Sequence, residues 1–478
     1  MRVNKLFVIL MAGTMLILEP GCKKSGSSDA ENPLYNSKSQ PSSEQSAEFI
    51  IPWMKQLFSF VVSERLSPPD ASRMYAYVTT AIYEAQVSGA PDYLTLEGQL
   101  NELKDVPRPN KDSIYDWTTA TIETIYFVQD DMLARYLPAG VKAINDLHTK
   151  QIDERAKTIP ADVIERSKKY GRALADAIIA WSEGDGYEDT RYMQYKAPTR
   201  EGHAEYWQPT DFNQVALEPF WGTHRTFCVK DGKQCDINLK FEYSEDSTGE
   251  MYKQAKKVWM TDKNLTEEQR TIAQFWADDG GETMTPPGHW LGIINNFVRS
   301  EKMNLDRASE LYALTATAMA DACITCWHTK YRVNLLRPKT FINEHFEKGW
   351  EPYVETPPFA GYTSGHSNFS GAAATILTAL IGDNKSFVDS THVSIGLLPR
   401  TFESFNAAAK EASLSRMYGG IHFDCDIDDG LVEGQCVGNY VLNEIKVSAK
   451  RQGGTEPEKK EGKEKKGKEA DKAAEEEL

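Results

Sequence analysis

The chain has 478 residues, of which 40% are hydrophobic and 10% aromatic, so it is long enough to bury a large core. Ten tryptophans and 21 tyrosines argue against disorder over most of this length. The formal net charge of −16 excludes the basic surface that nucleic-acid binding requires, so clustered cations in this chain must serve a local purpose.

The N-terminus has the pattern of an export signal. Two basic residues precede an apolar run at 6–18, which is too short for a comfortable membrane span. Residues 1–21 are therefore predicted to be a signal peptide. Cys22 resembles the attachment site of a bacterial lipoprotein, although Glu19-Pro20 depart from the aliphatic residue that this pattern prefers. An ordinary cleaved signal is the alternative.

Lipid attachment at Cys22 predicts a protein outside the cytoplasm, in the periplasm or at the cell surface, held on a bacterial membrane by its anchor alone. Residues 22–46 are rich in Ser, Lys, Asn and Gln, which predicts a flexible tether. Residues 451–478 form a mixed-charge, low-complexity segment that cannot build a core, which predicts a disordered tail.

Helical periodicity dominates between these termini, and strand-like alternation is scarce. The sequence therefore predicts a mostly α-helical protein of packed helix bundles. We divide it into a helical region at 47–263, with an irregular segment at 184–262, and a second helical domain at 264–450. The helical patterns cover 48–64, 70–88, 113–136, 160–183, 264–278, 290–300, 305–335, 366–382, 403–418 and 428–448.

Beyond Cys22 six cysteines remain, an even number that suggests disulfides in an exported protein. Cys228 and Cys235 flank an Asp-Gly turn signal and are the best predicted pair. A second pair, Cys425 with Cys436, is an alternative. The other two, Cys323 and Cys326, lie in a helical pattern that favours buried thiols.

Three short polar clusters follow one another in the second half of the chain. Lys330 and Arg337 are seven residues apart, two helical turns, so they can share one face of a helix. Ser364-Gly365-His366 leads into a strong helical pattern, which predicts a helix N-terminus that can bind an anion.

The third cluster contains Arg416, His422 and Asp426. Asp426 follows His422 by four residues and can bind its second ring nitrogen, which would fix the tautomer. Alone, each cluster is more typical of a solvated face or a satisfied core histidine. Together they supply three cations, a hydroxyl, a glycine amide and two histidines, which suits a tetrahedral oxyanion.

These three motifs resemble the superfamily that joins type 2 phosphatidic acid phosphatases, bacterial acid phosphatases and vanadium-dependent haloperoxidases. The departure is Thr363, which stands where proline is usual. The resemblance implies an anion site at the end of the C-terminal helix bundle. It also implies that the anion is bound by Lys330, Arg337, Ser364, Gly365, Arg416 and His422.

Two reactions fit this set of residues. In a phosphatase, His422 would attack phosphorus and His366 would protonate the leaving alcohol. In a haloperoxidase, His422 would bind the vanadium of vanadate, His366 would transfer protons, and Lys330 would polarise the bound peroxide. The three motifs do not separate these reactions, because vanadate and phosphate are close mimics.

The surrounding sequence favours the haloperoxidase. The segment FWADDGGETMTPPGHW at 275–290 resembles a haloperoxidase segment of the form F-W-A-x-D-G…T-P-P. This resemblance implies that Asp279 pairs with Arg416 and that Trp327 and Phe359 line a halide pocket.

The resulting prediction is a vanadate-dependent peroxidase that converts halide and hydrogen peroxide to hypohalous acid, with iodide or bromide favoured over chloride. Organic acceptors are further candidate partners, whereas haem, nicotinamide and nucleic acid are not expected. The alternative is an exported acid phosphatase that uses a phosphohistidine at the same site. A third hypothesis, an anion-binding lipoprotein without activity, leaves the two histidines unexplained.

Overall fold

The computed structural model describes residues 32–134 and 138–447, and the fold is predominantly α-helical, as predicted. Its helices are α1 (Ile50–Ser63), α2 (Pro68–Gln86), α3 (Trp117–Leu133), α4 (Pro138–Ala156), α5 (Ala161–Glu183), α6 (Tyr187–Thr190), α7 (Glu250–Lys263), α8 (Glu267–Phe275), α9 (Thr285–Ser300), α10 (Leu305–Val333), α11 (Pro338–His345), α12 (Gly365–Ile381), α13 (Phe405–Tyr418) and α14 (Asp424–Glu444). Two short strands, β1 (Phe387–Asp389) and β2 (Arg400–Phe402), pair antiparallel. Within the described ranges, no helix combines the length and apolar character needed to cross a membrane.

Polar side chains fix where the long helices begin. Ser67, Asp116, Asn304 and Ser364 accept hydrogen bonds from first-turn amides of α2, α3, α10 and α12, which satisfies groups that a helix leaves unpaired. Helix α10 ends at Asn334, whose φ of 54° is the left-handed conformation that asparagine tolerates. The chain therefore turns four residues after Lys330.

Helix α10 lies at the centre of the molecule. Almost every residue from its start to Lys330 is buried, and it packs against α2, α9, α12 and α14. One buried apolar cluster includes Trp53 and Trp117 from the first predicted region and Trp327 from the second. The predicted boundary at 263/264 therefore does not separate two cores.

The sequence patterns missed four helices, of which α6 is a single turn of four residues. Helix α4 has little apolar character on any face, and α11 is only eight residues long. Helix α7 lies at the end of the predicted irregular segment, 184–262. It buries Met251, Ala255 and Val258 in a second apolar cluster. These three residues have the spacing of one helical face, but the pattern is too short to have predicted the helix.

The predicted tether at 22–46 is wrong from residue 32 onward. The Asn32 amide donates to the carbonyls of Val87 and Ala90 at 2.8 and 3.0 Å, and Ser46 forms a β-bridge with Asn304. Buried asparagine, serine and glutamine side chains hold this polar stretch on the helices. The predicted signal peptide, Cys22 and the tail at 451–478 lie outside the described residues and stay predictions.

The predicted disulfide between Cys228 and Cys235 is wrong. Cys235 is instead bonded to Cys436 of α14, 201 residues away, and Cys425 is a free thiol. The Asp-Gly turn does not form a hairpin, because the amides of 227–229 donate to the buried carboxylate of Asp321 and turn Cys228 inward. The buried thiols of Cys323 and Cys326 agree with the prediction.

Glycines allow α14 to approach α12 closely. Gly430, Gly434 and Gly438 recur at four-residue spacing on one face of α14. A Cβ atom on Gly434 would overlap the backbone of Asn368, and one on Gly438 would lie 2.8 Å from Cβ of Thr375. This close packing places the start of α14, with Asp426, beside the start of α12.

We predict that Gly434→Ala lowers the free energy of unfolding by about 1–3 kcal/mol, because overpacking outweighs the ~1 kcal/mol gain in helix propensity. Chemical denaturation followed by circular dichroism measures this change. Gly184→Ala is the matched control, because its new Cβ would lie no closer than 3.7 Å to any neighbour. Equal stability of Gly434→Ala and the wild type would contradict the close packing.

Candidate active site

The three predicted clusters meet at one cleft of about 290 Å³. Its floor includes Gly365, His366, Arg416 and His422, contributed by the start of α12, the end of α13 and the turn before α14. Lys330 and Arg337 adjoin this floor. Nζ of Lys330 lies 5.0 Å from the centre of the Phe359 ring, which lines the cleft, and Arg337 donates to Nε2 of His422. The fold thus brings all three clusters together.

Lys330 is fully buried, and its ammonium is bound by backbone. Nζ donates to the carbonyls of Ala360 and Gly361, both at 3.0 Å, and to that of Thr363. It also lies 5.0 Å from the centre of the Phe359 ring. Burial lowers the pKa of Lys330 to about 8, so the group remains mostly protonated at neutral pH.

Arg337 caps the start of α11 and reaches the third cluster. Nε donates to the carbonyl of Phe359 at 2.8 Å, and Nη1 donates to the carbonyl of Ile421 at 2.9 Å and to Nε2 of His422 at 3.0 Å. Burial lowers its pKa to about 10, which leaves it charged. Nη2 is buried and has no hydrogen-bond partner within the described residues.

Arg416 is arranged in a similar way around the other histidine. Nη1 donates to the carbonyl of Ala277 at 3.3 Å and to Nε2 of His366 at 3.2 Å, and Nη2 donates to the carbonyl of Ala273. Burial lowers its pKa to about 10. Its Nε is the second buried arginine nitrogen of the site that lacks a partner in the described ranges.

The arginines define the tautomers of both histidines. A guanidinium can only donate, so Nε2 of His366 and Nε2 of His422 must be unprotonated acceptors. Nδ1 of His422 then carries the proton and donates to Oδ2 of Asp426 at 2.9 Å. Burial, followed by the nearby cations, holds the pKa of His422 well below its usual value. Burial and Arg416 do the same to the pKa of His366.

The second cluster forms the predicted helix N-terminus. The Ser364 hydroxyl accepts from the amide of Ser367 at 3.3 Å, and Gly365 is the first residue of α12. The Ser364 amide donates to the carbonyl of Asp426 at 2.8 Å, which ties this cluster to the third. The early amides of α12 therefore add a positive potential beside the cations.

The predicted direct contact between Asp279 and Arg416 is wrong. Within the described residues, the guanidinium binds the carbonyls of Ala273 and Ala277 and no carboxylate. Burial raises the pKa of Asp279 to about 6, while the charge of Arg416 opposes that rise. The aspartate thus influences Arg416 through charge alone, whereas Asp426 binds His422 as predicted.

An unpredicted carboxylate lies behind Lys330. Glu433 accepts from the hydroxyls of Thr329 and Thr363 at 2.6 and 2.5 Å and from the amide of Asn368 at 2.9 Å. Burial raises its pKa to about 7. Thr363 therefore links Glu433, through its side chain, to Lys330, through its carbonyl. Seven residues separate Glu433 from Asp426, a spacing on one helical face that could have indicated it.

One wall of the cleft is apolar. The rings of Trp327 and Phe359, the predicted halide pocket, lie 5.1 Å apart between centres, and both face the cleft. Leu217 joins this wall, and its carbonyl accepts from the Trp327 indole at 3.3 Å. Leu217 comes from the irregular segment, where no sequence pattern identified it.

This arrangement suits a tetrahedral oxyanion. Arg337 and Arg416, which donate to the two unprotonated histidine nitrogens, each have a further buried N–H group without a partner in the described residues. Such groups are costly unless an acceptor satisfies them. An anion with several acceptor oxygens satisfies both arginines. Nε2 of His422 can bind the central atom of that anion once Arg337 turns its N–H group from the ring to an anion oxygen, so the residues present fit either vanadate or phosphate.

Comparison with known proteins agrees with this geometry. A model of the "VCPO second helical-bundle domain" matches residues 310–450. The vanadium chloroperoxidase of Curvularia inaequalis is 29% identical over 123 residues, which cover 20% of this chain and only 20% of that protein.

Solved structures extend the similarity to most of the chain. A holo-type bacterial vanadium-dependent chloroperoxidase, 16% identical, shares the fold with a TM-score of 0.62 over 80% of this chain and 94% of its own. The structure described as the first bacterial vanadium-dependent iodoperoxidase is 34% identical, with a TM-score of 0.79 over 84% of this chain and 97% of its own. With that identity along nearly the whole of a relative, the chain belongs to the vanadium-dependent haloperoxidase family of enzymes.

Proposed function

We propose that this enzyme binds vanadate and oxidises iodide with hydrogen peroxide to hypoiodous acid. The observation that carries the proposal is a buried N–H group, without a partner in the described residues, on each of Arg337 and Arg416, which bind Nε2 of His422 and Nε2 of His366. The 34% identity to an iodoperoxidase supports both the peroxidase activity and the choice of iodide.

The residues that would hold vanadate divide into one ligand to vanadium and several oxygen-binding groups. His422 would supply the ligand through Nε2, because Asp426 holds its other ring nitrogen and increases its basicity. The oxygen-binding groups would be Lys330, Arg337, Ser364, Gly365 and Arg416. When bound, vanadate supplies a Lewis-acidic centre that activates hydrogen peroxide toward a halide.

The reaction requires proton transfer. One halide ion, one hydrogen peroxide molecule and one proton give hypohalous acid and water, with the halide oxidised by two electrons. His366 lies in the cleft with an unprotonated Nε2, which can accept a proton from peroxide and return it once Arg416 donates to the bound anion instead. Arg416 holds that nitrogen toward the site at 3.2 Å, so we assign His366 as the proton-transfer residue.

The apolar wall favours iodide. Trp327, Phe359 and Leu217 offer few hydrogen-bond donors to an incoming halide, so a halide loses much of its hydration in the cleft. Iodide is the most weakly hydrated of the three halides and the easiest to oxidise. We therefore propose the order iodide, bromide, chloride.

We predict that the metal-free protein gains iodide oxidation only when orthovanadate is added, and that phosphate competes with it. Absorbance of the iodine product, measured with hydrogen peroxide at fixed pH, follows the reaction. Bromide and chloride are assayed in parallel. Halide oxidation without vanadate would contradict the proposal, and phosphomonoester hydrolysis without peroxidase activity would establish the phosphatase alternative.

The two active-site histidines are predicted to differ in their effects. His422→Ala removes the ligand and should weaken vanadate binding, whereas His366→Ala should retain vanadate and lower kcat by ~10²–10⁴-fold through loss of proton transfer. Equilibrium dialysis and steady-state kinetics separate these effects. His203→Ala, at an exposed histidine, is the control. Equal loss of vanadate in both active-site variants would refute the assigned roles.

The lowered pKa of Lys330 gives a pH prediction. Below about pH 8 the ammonium attracts the anion, and above it the neutral amine does not, so anion affinity should fall as pH rises. Relative to Lys330→Arg, which keeps its charge, phosphate affinity of the wild type should fall about tenfold between about pH 7 and about pH 9. The ratio of the wild-type phosphate affinity to that of Lys330→Arg at each pH cancels the effect of the titration of phosphate itself. A constant ratio would contradict the lowered pKa.

A further inference from the structure

A second cluster of ionisable side chains adjoins the active-site segment at 277–279. Asp278 follows α8, His289 lies in α9 and His392 follows β1, so three distant segments meet there. Nδ1 of His289 lies 2.9 Å from Oδ2 of Asp278, and Nε2 of His392 lies 2.9 Å from Oδ1 of the same carboxylate. The two ring nitrogens are 3.1 Å apart. Three atoms that commonly ligate metals thus converge.

The cluster is buried and contains a second carboxylate. Nε2 of His289 lies 2.8 Å from Oδ2 of Asp389, and all four side chains are at most 3% exposed. The aromatic rings of Phe275 and Trp276 pack against His289. In the described part of the chain, the only ion-pair partners of the two carboxylates are these two histidines.

Charge balance without a metal is difficult in this cluster. Two buried carboxylates need two positive charges, which would require both imidazoles to be protonated. Two imidazolium ions would then point N–H groups at each other's nitrogen across 3.1 Å. With only one imidazolium, one negative charge stays uncompensated.

We propose that Asp278, His289 and His392 bind one zinc ion, with Asp389 supporting His289 from behind. The double charge of the ion balances the two carboxylates while both imidazoles stay neutral. Donor atoms about 2.0–2.2 Å from a tetrahedral zinc lie about 3.3–3.6 Å from one another, so the 2.9–3.1 Å separations of these atoms need only a small expansion to bind it. Both oxygens of Asp278 lie within 3.1 Å of His289 Nδ1, so the carboxylate can bind through either or both.

The donor types select the metal class. Two imidazole nitrogens and one carboxylate favour zinc and similar first-row ions, whereas calcium and magnesium prefer oxygen alone. The Nε2 proton of His289 would be donated to Asp389, an arrangement that holds the ring and increases the basicity of Nδ1.

The ion would act on the structure and not on the halide reaction. It would fasten the segment at 277–279 to α9 and to the turn after β1. Ala277 in that segment accepts a hydrogen bond from Arg416. This inference does not depend on the proposed iodide oxidation, because its readouts are metal content and stability.

Zinc binding is tested on the purified full-length protein in the absence of vanadate. After incubation with zinc and desalting, mass spectrometry of the metals should give one zinc per chain. The thermal unfolding midpoint should rise with added zinc and fall with a chelator. His392→Gln should lose the retained zinc, and Asp389→Asn should weaken zinc affinity by ~10–100-fold.

His148→Gln is the matched control, since His148 also binds a carboxylate, Glu123 at 2.6 Å, but has no second histidine beside it. It should keep the zinc. Wild-type protein without retained zinc, with a midpoint indifferent to both zinc and chelator, would overturn the proposal. Full zinc content in His392→Gln would overturn it as well.

If His392→Gln does not fold, cobalt in the wild-type protein decides the question. Visible absorption typical of cobalt with nitrogen and oxygen ligands, abolished by competing zinc, would support the site. Its absence would count against the site, since cobalt binds the same ligand types.

Discussion

The arrangement on which the site depends is His422 held between Arg337 and Asp426. The arginine donates to one ring nitrogen and the carboxylate accepts from the other, at 3.0 and 2.9 Å. Only one neutral tautomer satisfies both contacts, and in it the Nε2 lone pair accepts the hydrogen bond from Arg337. Because Asp426 also binds the Phe423 amide, the ring is anchored to the start of α14. The ring is thus oriented by hydrogen bonds that involve no metal, and Arg337 must release Nε2 before that nitrogen can act as a ligand.

The positive potential of the surrounding cations stays available to an anion, because in the described residues backbone carbonyls and not carboxylates bind them. Lys330, Arg337 and Arg416 together donate to carbonyls from three separate segments. A carbonyl satisfies an N–H group without cancelling its charge, so the positive potential remains for an anion. Burial lowers all three pKa values, but values of about 8 to 10 leave the groups protonated at neutral pH.

Local patterns in the sequence predicted the parts of the fold and site that local physics determines. The caps and the long periodic helices fix where Lys330 and Ser364 stand, whereas the joining of the three clusters into one site was implied by the family resemblance of their motifs. Contacts made through the backbone could not be predicted, because the carbonyl of Ala277 carries no residue signature. The pairing of Cys235 with Cys436 also eluded prediction, since it depends on how a loop crosses α14 and not on spacing.

The segment at 277–279 shows how acidic residues can lie beside an anion site without disabling it. A carboxylate paired directly with Arg416 would compete with the anion for that guanidinium. Asp278 also lines the cleft, but its carboxylate is bound by His289 and His392 and not by Arg416. Asp279 has a pKa raised to about 6 by burial and makes no direct contact with the arginine in the described ranges. Arg416 therefore keeps a free N–H group, and the negative charges nearby stabilise its buried cation without occupying the place of the anion.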